Sequence, residues 1–522
     1  MKFKKLILVI GMLYFYVGIG QDVDKKILNW YNGKKYGMNT DLAYKKLLED
    51  KKSSTVVVAV IDSGVDIEHE DLKGVIWTNE DEIPDNGIDD DKNGYIDDVH
   101  GWSFLGNPEG GNVKEEQLEM TRLYARFEKK YDGKSYVDLS EEDKKEYELY
   151  KEVRELVEKN LKKNQETLTR LEELSSHYGE MDEKLMKHFG GEYTIKDLKS
   201  LSKDPKLGDI AGKMMKMGGH SGLVGLNDYI DYLGSQVNFY YNKDFNARTV
   251  QGDDPSDFSD VNYGSNDVEG PDAMHGTHCS GIIAAVRGNG IGNDGVANNV
   301  KIMSVRTVPD GDERDKDVAL AIRYAVDNGA QVVNMSFGKA YSPYQDEVIA
   351  AVRYAEEKGV LLVHAAGNSS KDIDEENNFP RPQYESMSDK FTNWIEVGAS
   401  TRYKKRLAAS FSNYGDKMVD VYAPGLEIYS TVPQSEYETT QGTSMAAPMV
   451  AGLAAMLKSY YPTLSMVEIK EIILNSAQDV SEKSTPLPGT KDPVMFKTLC
   501  VTGGIANAYN AVLMAEDKVA KK

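Results

Sequence analysis

Five short apolar runs, each rich in β-branched residues, recur along the chain and constrain its fold more than any other feature. Loops and stretches with helical periodicity separate them, the clearest at residues 314–328 and 343–358. A short continuous apolar run is typical of a strand buried on both faces, as in a parallel sheet. The alternation therefore predicts an α/β fold in which a mostly parallel central sheet carries helices on both faces. The runs are TVVVAVI (55–61), VKIMSVR (300–306), QVVNMSF (331–337), VLLVHAA (360–366) and WIEVGAS (394–400).

Residues 110–248 interrupt this alternation. The segment is rich in Glu, Lys, Leu and Tyr, has helical periodicity and contains no convincing strand, so it predicts an inserted all-helical subdomain. The other predicted divisions are a signal peptide, an N-terminal segment, the two parts of the α/β domain and a C-terminal tail. The signal peptide covers 1–20, the N-terminal segment 21–54, the two parts of the α/β domain 55–109 and 249–515, and the C-terminal tail 516–522.

The first twenty residues have the pattern of a secretory signal peptide: a basic start, an apolar run from Leu6 to about Ile19, and small residues before a cleavage point near Gly20. The alternative is an uncleaved anchor, although the run is shorter than the ~20 residues that a spanning helix needs. No other segment is apolar enough to span a bilayer, and no cysteine near the cleavage point offers a lipid anchor. We therefore predict a secreted or periplasmic protein without stable membrane insertion after cleavage.

The composition limits the partners. A net charge of -22 argues against nucleic acid, because phosphate binding needs clustered lysine and arginine, and its simplest interpretation is solubility. Cys279 and Cys500 are the two cysteines in 522 residues, which excludes a disulfide scaffold. Two buried free thiols are favoured over a single bridge.

Four separated motifs place chemically active side chains where an α/β sheet builds its sites. Asp62 in VVVAVIDSGVD and Asn368 in LLVHAAGN each follow a strand, at its carboxyl end. His275 in HGTHCSGIIAA begins a helix, and Ser444 in GTSMAAPMVAG lies at the start of another. Taken singly, an aspartate or serine in such a position is more often a helix cap, and an asparagine after glycine more often a turn residue. The four together override those interpretations.

The chemistry of nucleophilic catalysis needs these residue types. A serine hydroxyl is a weak nucleophile that requires a base, histidine has a suitable pKa, and a buried carboxylate fixes the histidine tautomer. The helix start at Ser444 and the amide of Asn368 offer donors for an oxyanion. His275 and His278 also have a possible metal-ligand spacing, but no HExxH pattern accompanies them.

The motifs DSGVD, HGTHCSG, AAGN and GTSMAAP, in this order, resemble those of the subtilisin-like serine proteases, the subtilase or peptidase S8 family. The resemblance covers residues 54–105 and 261–515, on either side of the insertion. It implies a catalytic triad of Asp62, His275 and Ser444, with Asn368 as oxyanion donor. It also implies a strand edge to which an extended peptide substrate adds, at Ser336, Phe337 and Gly338.

The resemblance bears on the remaining candidates as well. It makes His278 structural, Cys279 a buried thiol beside the site, and His69 a loop residue. His364 lies on a strand that reaches the implied primary pocket, and a packed core histidine is favoured there over a specificity residue.

The function implied is that of a secreted serine endopeptidase, which acts on protein or peptide substrates through an acyl-enzyme. One alternative is a calcium-stabilised binding protein with the subtilase fold and no proteolytic activity, since a fold does not determine function. Another is a calcium-binding surface protein whose helical insertion is the working part.

The chain departs from the family pattern in two ways: the insertion separates Asp62 from His275, and about thirty residues replace the usual inhibitory prodomain.

The stretch PDNGIDDDKNGYIDD (84–98) resembles a calcium loop. Its acids occupy the early positions of an EF-hand pattern, but position twelve is His100 rather than glutamate, and Pro84 opposes a preceding helix. A single calcium loop is therefore predicted, with a solvated acidic turn as the alternative. The predicted ligands are Asp89, Asp91, Asn93, Tyr95 through its carbonyl, and Asp97 or Asp98.

The family resemblance implies a second calcium site. Asp71 in HEDL and Asn289 in RGNGIGNDG match positions where subtilases often bind calcium. Such a site joins the segment that carries Asp62 to the segment that follows His275.

Overall fold

The computed structural model describes residues 24–522, apart from the side chain of Glu142. The predicted signal peptide at 1–20 lies outside the described residues. The chain divides into two compact units. The sheet unit contains residues 24–120 and Asn246–Lys522, and the helical unit contains Thr121–Phe245.

A nine-stranded sheet organises the sheet unit, in the order β10-β13-β7-β6-β5-β4-β1-β3-β2. All neighbouring pairs are parallel except β10 with β13. The predicted α/β class with a mostly parallel sheet is therefore confirmed. The strands are β1 (Val56–Asp62), β2 (Gly101–Ser103), β3 (Val300–Arg306), β4 (Val332–Met335), β5 (Leu361–Ala365), β6 (Trp394–Ser400), β7 (Val421–Pro424), β8 (Ile428–Val432), β9 (Glu436–Thr440), β10 (Gln478–Asp479), β11 (Ser484–Pro486), β12 (Pro493–Met495) and β13 (Gly504–Ile505).

The helices in the described range follow the predicted alternation. Those predicted near 314–328 and 343–358 are α8 and α9. The α-helices are α1 (Thr40–Ala43), α2 (Glu119–Tyr131), α3 (Glu141–Phe189), α4 (Ile195–Ser200), α5 (Gly208–Met217), α6 (Gly219–Ser235), α7 (Met274–Ala284), α8 (Asp315–Asp327), α9 (Gln345–Glu357), α10 (Thr443–Tyr460), α11 (Met466–Asn475) and α12 (Ala508–Ala520).

Strand β1 explains how the sheet is buried on both faces. Val58 and Val60 pack in a core cluster with residues of α7, α10, α11 and α12. Ala59 and Ile61 point the other way, into a cluster with α8 and α9. Because successive side chains of a strand alternate between faces, a run without polar residues can only be satisfied between two helical layers.

The N-terminal segment belongs to the sheet unit. The Trp30 indole donates to the Glu427 carbonyl at 2.8 Å, and the Tyr31 hydroxyl donates to the Asp294 carbonyl at 2.9 Å. Tyr31 and Met38 are fully buried in the core. The segment therefore stabilises the loop that contains Asn289.

The helical unit has its own core. The 49-residue helix α3 begins at the Ser140 cap, which accepts the Asp143 N–H, and ends at Gly190 with a φ of 79°. Met181 and Leu185 of α3 pack against Leu198 and Met214 of the following helices. Within residues 24–522, no helix combines the length and the apolarity that a membrane span requires.

Candidate active site

Four of the predicted residues lie at the ends of elements in the sheet unit. Asp62 is the last residue of β1, and Asn368 follows the end of β5 by three residues. His275 and Ser444 are the second residues of α7 and α10. Parallel strands end at one edge of the sheet and the following helices begin near it, so this topology places catalytic side chains at the carboxyl edge.

The structure joins Asp62 to His275. The His275 Nδ1 lies 2.7 Å from the Asp62 Oδ1, which also accepts the Ser63 N–H at 2.8 Å. A β-carbon on Gly276 would lie 2.1 Å from the Gly64 carbonyl oxygen, so only glycine lets α7 approach the β1 loop this closely. The small residue after His275 is therefore a requirement of this contact.

The surroundings of His275 make it a suitable base. Burial opposes the protonation of the imidazole, but the Asp62 carboxylate outweighs it and raises the pKa of His275, with a further contribution from Asp272. The side chain remains 37% exposed while that of Asp62 is 2% exposed, so the ring meets solvent on its free side.

Cys279, one helical turn after His275, has a structural role. Burial raises the pKa of its thiol well above the usual value, which keeps it protonated and weakly nucleophilic at neutral pH. Its Sγ donates to the Ser444 carbonyl at 3.4 Å. Cys279 and Cys500 are both free and buried, as the sequence predicted.

The start of α10 is shaped by Pro448. Proline has no N–H, so the carbonyl of Ser444, four residues earlier, loses its helical partner. The Ser336 hydroxyl and the Cys279 thiol donate to that carbonyl instead. The Ser444 hydroxyl itself donates to the Ser336 carbonyl at 3.0 Å, so it must rotate before it can donate to His275.

Asn368 is oriented by Thr443. Its Oδ1 accepts the Thr443 N–H at 2.8 Å and lies 3.0 Å from the Thr443 hydroxyl, which leaves the Nδ2 turned away. A β-carbon on Gly442 would lie 3.4 Å from that Nδ2 and 3.5 Å from the Ser444 backbone nitrogen. Two donors thus face a common space beside the serine, and sequence reasoning had identified neither Thr443 nor Gly442.

The predicted substrate strand continues from β4. Ser336 contacts Ser444 through both hydrogen bonds described above, whereas Phe337 and Gly338 are more exposed. The side chain of Asn378, which the sequence did not identify, lies beside Gly338: a β-carbon there would be 2.8 Å from the Asn378 Oδ1. A β-carbon on Gly367 would lie 3.3 Å from the same Asn378 Oδ1, so Asn378 lies between the strand and the AAGN loop.

Three further histidines of the sheet unit are packed in its interior. His364 is fully buried and bonds both Glu396 oxygens at 3.0 Å, which fits the favoured core role. His69 and His278 are also fully buried and bond backbone carbonyls of β9.

The acidic loop assembles a different set of carboxylates from the predicted one. Ligand atoms of Glu82, Asp91 and Asp98 lie within 4.8 Å of one another. Asp89 and Asp97 instead accept backbone N–H groups of the loop itself with both oxygens. Of the two options for the last carboxylate, the structure brings Asp98 and not Asp97 into the group. Glu82 lies before the quoted stretch, where no loop pattern marks it.

Asn93 and Tyr95 also stabilise the loop. The Asn93 amide donates to Asp91 and Asp98 at 3.0 and 3.1 Å, and its Oδ1 accepts the Tyr95 N–H. The ring of Tyr95 packs against Trp102, which anchors the loop on β2.

The second predicted pair is in contact. The Asn289 amide donates to the Asp71 Oδ1 at 2.6 Å. Asp71 is fully buried, and its Oδ2 has no hydrogen-bond partner among the described residues. A buried carboxylate oxygen without a donor is costly unless a cation compensates it.

A buried carboxylate bonded to a helix-borne imidazole, with a serine at the start of α10, is an arrangement that serine peptidases use. A family model described as the subtilase family matches residues 53–491. The chain therefore belongs to the subtilase family of serine peptidases, and the resemblance inferred from the four motifs is confirmed.

Several named proteins are similar to this chain. The thermophilic serine proteinase of Bacillus sp. (strain AK1) is 38% identical over 52% of this chain, and the match spans 59% of that relative's length. Thermitase of Thermoactinomyces vulgaris is 39% identical over 40% of this chain and 70% of its own length. Subtilisin BL of Lederbergia lenta is 37% identical over 41% of this chain and 74% of its own length. A solved structure of a cold adapted subtilisin-like serine proteinase is 29% identical, with a TM-score of 0.37 over 47% of this chain and 78% of that one.

Proposed function

We propose that this protein is a secreted serine endopeptidase that hydrolyses peptide bonds in proteins or peptides through an acyl-enzyme. The observation that carries the proposal is the 2.7 Å hydrogen bond between the His275 Nδ1 and the Asp62 Oδ1, which joins residues 213 positions apart beside Ser444. Membership of the subtilase family supports the activity, and the signal-peptide pattern at 1–20 supports export.

In the acylation step, the Ser444 Oγ attacks the carbonyl carbon of the scissile bond. The His275 Nε2 takes the hydroxyl proton, and Asp62 holds the ring by its Nδ1–H and stabilises the imidazolium. The negative charge forms on the former carbonyl oxygen, next to the Asn368 Nδ2 and the Ser444 N–H. The carbon–nitrogen bond then breaks, and the leaving amine takes the proton from the Nε2.

Deacylation repeats these roles with water. His275, neutral again, removes a proton from a water molecule whose oxygen attacks the ester carbonyl. The same two donors stabilise the second oxyanion. The ester bond to the Ser444 Oγ breaks, the serine recovers its proton from the imidazolium, and the carboxylic acid leaves.

A fluorophosphonate probe tests this proposal directly. The probe phosphonylates only a serine that is activated by a base, so we expect a single adduct at Ser444 in peptide mapping by mass spectrometry. A chain that takes up no probe and hydrolyses no peptide would instead be the binding protein with a subtilase fold.

Asn368 provides the first quantitative prediction. We expect Asn368→Ala to lower kcat by about 10² to 10³ with little change in KM, because the amide bonds the oxyanion and not the ground-state carbonyl. Steady-state kinetics on a peptide amide measures this. Asn328→Ala, at the end of α8 and the opposite edge of the sheet, is the matched control. An Asn368 variant with a kcat within threefold of the native value would contradict the assignment.

The proposal includes a structural calcium ion held by Asp71 and Asn289. The unpartnered Oδ2 of Asp71 and the oxygen-rich side chains fit a hard cation. A bound ion would link the loop after β1 to the loop after α7. The group formed by Glu82, Asp91 and Asp98 fits less well, since loop donors already occupy its oxygens, for instance the Asn79 amide on Asp91 and Asp98.

Removal of calcium gives a second prediction. We expect EDTA to lower the melting temperature by about 3 to 4 °C, since a site at hundredfold saturation contributes about 2.7 kcal/mol and, in a unit of about 370 residues, each kcal/mol shifts the melting temperature by about 1.3 °C. Asp71→Asn should melt at the lower temperature with or without EDTA. Asp89→Asn, which alters a backbone-bonded acid of the loop, should keep the EDTA response. Differential scanning calorimetry checks all three, and equal melting temperatures of the native protein with calcium and with EDTA would exclude the ion.

A further inference from the structure

Arg306 is a buried cation at the end of β3, beside the catalytic aspartate. In the register of the two strands it lies opposite Asp62, the last residue of β1. The residue is 2% exposed, and burial lowers the pKa of its guanidinium to about 10, so the group keeps its charge at neutral pH. A buried charge is costly unless hydrogen bonds replace its water. Neither acylation nor deacylation uses this cation, so its position calls for another role.

The guanidinium is held by neutral acceptors. Its Nε donates to the Ser63 carbonyl at 2.9 Å, and its Nη2 donates to the Val113 carbonyl. Its Nη1 donates to the Asn112 Oδ1 at 2.9 Å and to the Ser103 hydroxyl oxygen at 3.2 Å. None of these four oxygens belongs to a carboxylate, so the bonds orient the side chain without neutralising it. One side chain thus connects the loop after β1, the end of β2 and the stretch that follows β2.

The bond to Ser63 fixes the loop that carries the catalytic carboxylate. The Ser63 N–H donates to the Asp62 Oδ1 at 2.8 Å, so the position of this residue bears directly on the carboxylate. The two residues after the arginine hold the preceding carbonyl, since the Thr307 and Val308 N–H groups donate to the Asp62 carbonyl at 3.0 and 3.2 Å. The end of β3 therefore holds two successive carbonyls of the catalytic loop.

The guanidinium also contacts the segment that leads to His275. A β-carbon on Gly270 would lie 2.3 Å from the Arg306 Nε and 2.6 Å from its Cζ, so the main chain passes directly against the planar group. The φ of Gly270 is 64°, in the left-handed region that favours glycine. The same segment is tied to the β1 loop, because the Val65 N–H donates to the Val268 carbonyl at 3.0 Å. Arg306 thus lies between the segments that carry the two bonded catalytic side chains.

The distance between these two segments decides whether the catalytic hydrogen bond forms. Asp62 and His275 are 213 positions apart, with the helical insertion between them in the chain, so no local sequence sets their separation. A displacement of about 1 Å at such a site can lower the rate about a hundredfold. Arginine suits this role better than lysine, because its planar group offers five N–H donors in a fixed geometry.

We propose that Arg306 is a positioning residue for the Asp62–His275 pair. Its guanidinium holds the Ser63 carbonyl on one segment and packs against Gly270 on the other, which keeps the two catalytic side chains within hydrogen-bond distance. Arg306 acts through this pair and not on the substrate. The inference rests on the proposed peptidase function and adds to it a residue that none of the four motifs contains.

Arg306→Lys tests the proposal, because it keeps the charge and removes the planar group. We expect kcat on a peptide amide to fall about tenfold to a hundredfold, with KM within about twofold of the native value, since the substrate itself loses no contact. The looser pair also lets Asp62 raise the pKa of His275 less, so the rise of kcat/KM with pH moves to lower pH by about half a unit. Asp272, which also raises that pKa, is unchanged.

Steady-state kinetics between pH 5 and 9 measures these effects, with rates normalised to folded protein by circular dichroism. A loss of stability alone would lower the amount of active enzyme and leave the pH profile in place. Arg353→Lys, in an ion pair with Glu356 on α9, is the matched control and should keep the native kcat and profile. A folded Arg306→Lys variant with the native kcat, or with an unmoved profile, would overturn the inference and leave the proposed function intact. A native protein that hydrolyses no peptide amide would overturn both.

Gly270→Ala provides a second test that leaves the arginine in place. The added methyl group meets the guanidinium, so we expect kcat to fall about tenfold in the native background. In the Arg306→Lys background, where a flexible side chain can move away, the same substitution should cost less than about threefold. Equal losses in the two backgrounds would contradict the contact between Gly270 and the guanidinium, and with it the inference.

Gly329→Ala is the matched control for backbone strain. Gly329 also has a positive φ, of 82°, but a β-carbon there would meet no atom within 4 Å, so this variant should keep the native kcat and pH profile. If Arg306→Lys does not fold, Gly270→Ala alone decides the inference. Its profile should then move to lower pH while that of Gly329→Ala does not, and an unmoved profile for Gly270→Ala would overturn the positioning role.

Discussion

Ser444→Ala is expected to lower the hydrolysis of peptide amides about a millionfold while the protein remains folded, a magnitude known for subtilisin itself, a member of this family. The alanine removes the attacking oxygen, and no other side chain at the site replaces it, since the raised pKa of Cys279 keeps that thiol protonated. Stability should change little, because the hydroxyl makes one hydrogen bond, to the Ser336 carbonyl, worth about 1 kcal/mol.

Rates are measured with a peptide amide and normalised to folded protein by circular dichroism. Ser476→Ala, at the end of α11, removes a hydroxyl whose one bond among the described residues is to the Ile473 carbonyl, and it serves as the matched control with native activity. Substantial hydrolysis by Ser444→Ala would exclude an acyl-enzyme at Ser444. If the native protein and the variant both fail to hydrolyse the peptide, the result favours the calcium-binding surface protein whose helical insertion is the working part.

Asp62→Asn is expected to lower kcat about 10⁴-fold, because an amide no longer holds the His275 tautomer that accepts the serine proton. The pH profile should change as well. Hydrolysis needs neutral imidazole, so kcat/KM rises as pH increases through the pKa of His275, and the raised pKa places this rise above about pH 6.5 in the native enzyme. Without the Asp62 charge, burial lowers that pKa with only Asp272 opposing it, so the rise moves to lower pH.

Steady-state kinetics between pH 5 and 9, with a sensitive fluorogenic peptide, measures both effects. Asp66→Asn is the matched control: Asp66 is a buried acid in the same loop, but its oxygens accept the Glu68 and Gln434 N–H groups and do not contact His275. An Asp62 variant whose profile moves to higher pH would contradict the role of its charge.

The sheet was predictable where apolar runs are long. The bounds predicted for β3 and β6 are those observed, and β1 is displaced by one residue. A short run that is apolar at every position fits a strand covered on both faces, so its sequence alone indicates its place in the sheet. By contrast, β7 has four residues and ends in a proline, while β10 and β13 have two residues each. Neighbouring strands, and not their own sequences, determine these short strands.

The site residues could be predicted where each of them lies in a motif of consecutive residues. Asp62, His275 and Ser444 were assigned from local patterns, but the orientation of Asn368 depends on Thr443, 75 residues further along. Arg306 appears in the sequence as an ordinary arginine at the end of a strand. Its position depends on Ser63, 243 residues away, and no periodicity carries that information. The role of Glu82 likewise depends on a fold that joins it to Asp91 and Asp98.

The position of β1 in the sheet has a consequence for biosynthesis. Both of its neighbours, β3 and β4, follow the helical unit in the chain, and β4 ends at Met335. At a translation rate of about 5 to 20 residues per second, the run VVVAVI waits about 12 to 50 seconds before its first partner strand, β3, has been synthesised. During that interval it is an unpaired apolar strand that is prone to aggregate. We therefore expect the yield of folded protein to depend on chaperones that bind extended apolar segments of nascent chains.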